Sequence, residues 1–359
     1  MSHAQIIAGP CAAESREQVL TSARQIADAG ADIFRAGVWK PRTEPGGFEG
    51  VGEAELEWLA EAQTETGIPA ATEVATPEHV RLALQHGIRV LWLGARTTTN
   101  PFLVQQIADA LSEYTAPINR GAVRRTEGSL RIFVKNPVSP DVRLWKGAIE
   151  RIRQAGAQQV YAVHRGFQTG QPSPYRNAPV WSVPFALKLE LPDVPLLLDP
   201  SHMAGDAALV PELSRQAMRL GYDGLMIEAH CCPAEAQSDR DQQLTPAELG
   251  ELLSSLRDSV NPFFRNSVDP SVRNSDLSAL RARLDETDDT LFLLLLQRMQ
   301  ISRQIGDYKR AHNLPILQEK RYAELVQKRL DWARQNRLDP DTIRRILDAI
   351  HEESCRWQL

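Results

Sequence analysis

Leu198-Asp199-Pro200-Ser201-His202 closes an apolar run with an acid, a turn-forming proline and a histidine. A strand that stops in chemistry-bearing side chains is the pattern of a (β/α)8 barrel, where reacting groups sit at the C-terminal strand tips. The pattern recurs along the chain. Short apolar runs near 6–9, 33–38, 70–74, 90–94, 132–135, 160–163, 195–198 and 224–227 each lead into a polar tip and then a helix-spaced segment, as at 53–66, 77–85, 142–155 and 209–219. Thr76-Pro77, Asn100-Pro101 and Thr245-Pro246 put a capping side chain before a proline at the first helical position. Gly67, Gly87, Gly156 and Gly221 close the preceding helices. Eight such units in about 255 residues match a closed TIM barrel. No glycine-rich phosphate turn follows the first strand, which argues against an open doubly wound sheet.

The 359 residues, 42% hydrophobic and 24% charged, suffice for one large domain and one small one. Periodicity breaks over 261–270, so the reading is an α/β barrel at 1–260, a linker at 261–273 and an all-helical domain at 274–359. Helices are expected near 276–312 and 318–335, with a last one capped by Asp339 before Pro340. An all-α unit this small is near the lower limit of independent stability, so a homodimer through the long helix is expected. The net charge of −5, without a long basic run, argues against nucleic acid as a partner. Four cysteines are too few for a disulfide framework, and Met1-Ser2-His3-Ala4-Gln5 has no charged leader, so a cytoplasmic protein is expected. The longest apolar run, 291–296, falls far short of the roughly 20 residues that cross a bilayer.

At the strand tips, Cys11, His202, Glu228 and Asp239 form a mixed sulfur, nitrogen and oxygen set suited to a divalent transition metal rather than magnesium. His230, Cys231 and Cys232 compete for the same role, and strand alternation sets His230 beside Glu228. A second group is cationic: Arg35, Lys40 with Arg42 and Thr43, Arg96, Lys135 and Arg165. So many cations in one mouth imply a strongly anionic substrate.

Gly9-Pro10-Cys11, Phe34-Arg35-Ala36-Gly37 leading to Lys40-Pro41-Arg42-Thr43, Gly94-Ala95-Arg96, Asp199-Pro200-Ser201-His202 and Glu228-Ala229-His230 together resemble the 3-deoxy-D-arabino-heptulosonate-7-phosphate synthase family in its compact, short-chain (type I beta) form. The resemblance covers nearly all of 1–260. It implies condensation of phosphoenolpyruvate with erythrose 4-phosphate, the first step of the shikimate pathway. It implies Cys11, His202, Glu228 and Asp239 as ligands of Mn2+, Fe2+, Co2+ or Zn2+. Arg35, the catalytic Lys40, Arg96, Lys135 and Arg165 would hold phosphoenolpyruvate, and Arg42 with Thr43 the aldose phosphate. One departure is Lys135-Asn136-Pro137, where the common short-chain pattern has Lys-Arg-Gly. The sister family making 3-deoxy-manno-octulosonate 8-phosphate is the alternative, but it usually has Lys-Ala-Asn-Arg where this chain has Lys40-Pro41-Arg42-Thr43. A metal-dependent sugar isomerase or aldolase is a third reading.

On the long predicted helix, Arg281, Arg298 and Lys309 are 17 and 11 residues apart and are expected to share a face. At about 1.5 Å per residue, Arg281 is roughly 42 Å from Lys309 and Arg298 only about 16 Å, so a shared site takes Arg281 from a partner helix. Ala279-Leu280-Arg281, Arg298, Lys309, Pro315, Arg321 and Glu353-Ser354-Cys355-Arg356-Trp357-Gln358 resemble the all-helical chorismate mutase family. That implies Arg281 of a partner, Arg298, Lys309, Arg321 and Gln358 around chorismate, and an intertwined dimer. Tyr322 and Gln318 stand where the family often has acids. A tail that only senses chorismate or prephenate and inhibits the barrel is the rival reading. Because the barrel begins at its first strand, feedback control is expected of the tail in either case.

Overall fold

Strand residues alternate between two faces, and in a computed structural model of the chain those faces become two separate cores. Strands β1 (Gln5–Gly9), β2 (Ile33–Arg35), β3 (Ala70–Glu73), β4 (Val90–Leu93), β5 (Arg131–Lys135), β6 (Gln159–His164), β7 (Leu196–Leu198) and β8 (Gly224–Glu228) pair in parallel and close into a barrel in sequence order. Ile7, Ile33, Ala71, Val90, Trp92, Phe133, Val163, Leu197 and Met226 fill its lumen. Their neighbours, among them Ala8, Phe34, Leu91, Val134 and Leu198, pack outward against the helices. The structure describes residues 4–40, 48–115, 129–170, 173–258, 277–315 and 319–358, in two units, Met1–Arg273 and Asn274–Leu359. The expected linker, 261–273, lies outside the described residues.

The helix starts follow their caps. Thr76 accepts from the His79 N–H at 3.2 Å ahead of helix Pro77–Gln85. Thr245 and Glu248 exchange hydrogen bonds of 3.2 and 2.8 Å, a capping box before Pro246–Asp258. Asp199 caps the short turn Pro200–Ala204 that carries His202. Strand β2 is shorter than expected. After Arg35 only an isolated bridge joins Gly37 to Ala12, where a Cβ on Gly37 would lie 2.8 Å from the Cys11 carbonyl oxygen.

The second unit has helices Leu277–Ala311, Glu319–Gln335 and Pro340–Gln358, the last packing on both others. Met299, Val326, Leu330 and Ala333 are buried, while Leu291, Phe292, Leu294, Leu296, Ile301 and Ile305 of the long helix are exposed. Among the described residues no helix is long and apolar enough to cross a membrane.

Gly9 ends β1 at φ +155°, and a Cβ there would fall 1.9 Å from the backbone oxygen of Arg35. Gly9→Ala should therefore destabilise the barrel by about 1–3 kcal/mol in urea unfolding. An unchanged midpoint contradicts this packing.

Candidate functional site

The alternation that fills the lumen also aims the chemistry above it. Two residues after a lumen side chain, the next group on the same face is polar: Arg35 follows Ile33, Glu73 follows Ala71, Lys135 follows Phe133, Asp199 follows Leu197 and Glu228 follows Met226. Trp92 is the floor. The Arg35 guanidinium carbon lies 4.6 Å and the Lys135 ammonium 5.9 Å from its ring centre, at cation–π distance. The Trp92 indole N–H donates to Glu73 Oε2 at 3.1 Å.

Gly9 pairs with Glu228 between β1 and β8, which brings Cys11 over the Glu228 carboxylate. Cys11 Sγ, one Glu228 oxygen and one Asp239 oxygen all lie within 4.8 Å of one another. His202 Nε2 stands 3.6 Å from Glu228 Oε1. Its Nδ1 is 2.9 Å from Asp199 Oδ2, a contact that fixes the ring with Nε2 toward Glu228. Asp239 holds a left-handed backbone, φ 47°, and its Oδ2 accepts from Cys11 Sγ at 3.2 Å. Burial, with Glu228 adding to it, pushes the Cys11 thiol up to about 12. Burial alone would raise the carboxyls too. His202 and Arg35 nevertheless hold Glu228 below its ordinary value, His202 and Lys135 hold Asp199 well below, and His202 and Lys40 hold Asp239 below. The carboxylates therefore stay ionised.

The cations frame this cluster. Lys40 Nζ donates to both Sγ and the carbonyl oxygen of Cys11 at 3.0 Å. Burial pulls its pKa down, but Cys11, Glu73 and Glu228 reverse that, so it remains an ammonium. Arg35 is 1% exposed and donates from Nη2 to Glu228 Oε1 at 3.2 Å, yet its Nε and Nη1 are buried without a hydrogen-bond partner among the described residues. Buried donors without an acceptor are costly, and these two offer an anion its binding contacts. Lys135 Nζ donates to Asp199 Oδ2 at 2.7 Å. Arg165 Nη1 donates to Asn177 Oδ1 at 2.8 Å, and burial lowers its pKa. Arg96 is exposed on the helical turn Ala95–Thr98 after β4. Arg42 and Thr43 lie outside the described residues. Asn136 accepts from the Arg165 backbone N–H at 2.7 Å, so the Lys135-Asn136-Pro137 departure supports the loop bearing that arginine.

His230, expected beside Glu228, is not among the converging donors. After Glu228 the chain turns to bridge Ala229 with Leu244; His230 Nδ1 then accepts from the Cys232 N–H at 2.9 Å, and its Nε2 faces Glu14 at 3.9 Å. Cys231 Sγ sits by the His230 ring at 3.9 Å, away from Cys11. Three contributors escaped the sequence reading. Gln243 Oε1 accepts from the Cys11 N–H at 3.0 Å, Gln242 Nε2 donates to Glu228 Oε2 at 2.6 Å, and Arg176 Nη1 donates to Asp239 Oδ1 at 3.0 Å. The amides are neutral and Arg176 lies well past β6, so none shows as a strand tip.

In the second unit, Lys309 Nζ donates to Gln358 Oε1 at 2.8 Å, and Arg298 Nη1 donates to Ser354 Oγ. Burial lowers the Arg298 pKa. Tyr322 donates to Asp348 Oδ1 at 2.5 Å and stacks on His351 at 3.7 Å. Arg281 and Arg321 stand exposed, Arg321 beside Glu324 at 3.7 Å. The shared face is corrected by the unbroken helix Leu277–Ala311. At about 100° per residue, 17 residues leave Arg281 roughly 100° around from Arg298, so only Arg298 and Lys309 share a face.

Residues 2–261 match the DAHP synthetase I family and residues 280–359 the chorismate mutase type II family. The phospho-2-dehydro-3-deoxyheptonate aldolase of Thermotoga maritima is 30% identical over 254 residues, 70% of this chain and 68% of that protein. The 4-amino-4-deoxychorismate mutase of Streptomyces pristinaespiralis is 37% identical over 89 residues, 25% of this chain and 69% of that protein. A crystal structure of the Thermotoga maritima phospho-2-dehydro-3-deoxyheptonate aldolase (DAHP synthase) is similar at a TM-score of 0.61 and 26% identity, covering 72% of this chain and 69% of that one.

Asp199 and Lys135 are both buried, so Asp199→Asn should strand the lysine charge and cost roughly 3–5 kcal/mol in urea unfolding, part of it recovered by adding Lys135→Met. Equal stability of Asp199→Asn and the parent chain contradicts the pairing.

Proposed function

The chain belongs to the DAHP synthetase I family through residues 2–261 and to the chorismate mutase type II family through residues 280–359, and we propose a two-reaction enzyme of aromatic biosynthesis whose barrel works with a bound metal. The barrel condenses phosphoenolpyruvate with erythrose 4-phosphate, and the tail rearranges chorismate to prephenate. One observation carries the metal assignment: a buried thiol, one buried and one half-buried carboxylate, and an imidazole converge. The donor set fits the group. Cys11, His202, Glu228 and Asp239 offer sulfur, nitrogen and oxygen, which suits Mn2+, Fe2+, Co2+ or Zn2+ better than Mg2+. Bound there, the metal supplies Lewis acidity to the aldehyde oxygen.

The chain's own residues do the positioning. Arg35, fixed by Glu228 and lying over Trp92, presents Nε and Nη1 to phosphoenolpyruvate. Lys135, Arg165 and Arg96 add positive charge around it, and Lys40 keeps its ammonium beside Cys11. Arg42 and Thr43 are assigned to the phosphate of the tetrose. Clamping both substrates makes attack effectively unimolecular. The enol carbon C3 bonds to the aldehyde carbon, water adds at C2, and the C2 phosphate leaves.

In the tail, Arg298 and Lys309 face a dianionic substrate from one helix face. Their charge complements the separation that develops as chorismate rearranges, without a covalent catalyst. Gln358, held by Lys309, keeps its amide N–H groups for the substrate. Arg281 and Arg321 complete the set, Arg281 from a second copy. The exposed Leu291, Phe292, Leu294 and Leu296 support a homodimer through the long helix. An anion site for a late intermediate, on the same chain as the entry reaction, also makes the tail the sensor for feedback inhibition. Deleting 262–359 should abolish prephenate sensitivity of the barrel, and retained sensitivity contradicts that role.

The whole assignment is tested by paired assays of phosphoenolpyruvate loss and chorismate loss, each with and without a chelator. Chelation should stop the first reaction alone; loss of neither contradicts the metal. Replacing erythrose 4-phosphate by arabinose 5-phosphate should remove turnover, and equal turnover points to octulosonate synthesis instead. Cys11→Ala with full metal-dependent activity contradicts the thiolate ligand.

A further inference from the structure

We propose that Arg176 is a positioning residue for the metal donors, setting Asp239 directly and Glu228 through Gln242; this rests on the metal reading above. Arg176 Nη1 donates to Asp239 Oδ1 at 3.0 Å and to Gln242 Oε1 at 2.7 Å. Gln242, 1% exposed, passes the constraint on, since its Nε2 donates to Glu228 Oε2 at 2.6 Å. A single guanidinium thereby orients one oxygen on each of two carboxylates. Glu228 uses its other oxygen toward Arg35 and His202, and Asp239 its other oxygen toward Cys11.

The third link is through the backbone. The Arg176 N–H donates to the Ala204 carbonyl at 3.0 Å, the Asn177 N–H to Met203 at 3.1 Å, and Asn177 Nδ2 to the His202 carbonyl at 2.6 Å. The segment thus grips the turn that presents His202, while Asn177 Oδ1 receives Arg165. Gly205 makes room for it: a Cβ there would fall 2.7 Å from Arg176 Cβ. Partners that orient metal-binding side chains are worth about 10–100-fold in metal affinity.

The experiment is a chelator-competition titration of the metal-stripped full chain with Co2+ and Mn2+, alongside melting of the metal-free protein. Arg176→Met and Gln242→Met should each weaken binding by about 10–100-fold. The double variant should lose less than the product of the two, because both act on one path. Arg176→Lys should recover part of the loss. Wild-type affinity in both single variants overturns the proposal, whether metal-free melting falls, as for a merely structural tether, or the KM for phosphoenolpyruvate rises, as for a substrate contact. If the parent chain itself takes up neither ion, the metal site falls and this proposal with it, an outcome distinct from normal uptake by the variants.

Discussion

Glu228 cannot reach water, so its charge must be balanced by the protein, and the barrel mouth is arranged around that requirement. Arg35 from β2, Gln242 from the loop after β8 and His202 from the turn after β7 all converge on its two oxygens. Each partner is held in turn. Trp92 lies beneath Arg35, Asp199 orients His202, and Arg176 binds Gln242. Barrel closure is what brings β1, β2, β7 and β8 within reach of a single carboxylate, since their tips are separated by up to the whole first unit in sequence. The resulting network has positive charge on one side and donors on the other. That separation lets an anionic substrate and a cation share one small space.

The tail solves a related problem with less burial. Lys309 lies against Gln358 and Arg298 against Ser354, across two helices. Those contacts set two cations on one helix face, complementary to an anion. Tyr322 is engaged differently from an acid at that position: its hydroxyl is given to Asp348 and its ring to His351.

Much of this was legible beforehand because it has a period or a local chemical rule. Lumen residues two before each polar tip make Arg35, Lys135, Asp199 and Glu228 point inward by alternation alone. Thr76 and Thr245 announce helix starts through hydrogen bonds confined to four residues. Where no local rule operates, reading failed. His230 continues the alternation on paper, but the chain bends at Ala229, and its ring joins Cys232 and Glu14. Arg176, Gln242 and Gln243 act through contacts spanning tens to hundreds of residues, which no short-range pattern encodes. Arg281 shows the opposite error, for a helix of known pitch already separates it from Arg298 by roughly 100°.

The central claim is that Cys11, His202, Glu228 and Asp239 surround one metal. Crystals of the Co2+-loaded full chain, measured for anomalous scattering at the cobalt edge, address it most directly. The account expects one strong peak about 2.0–2.3 Å from Cys11 Sγ, His202 Nε2 and an oxygen of each carboxylate. A peak at His230, Cys231 or Cys232, with none between Cys11 and Glu228, contradicts it.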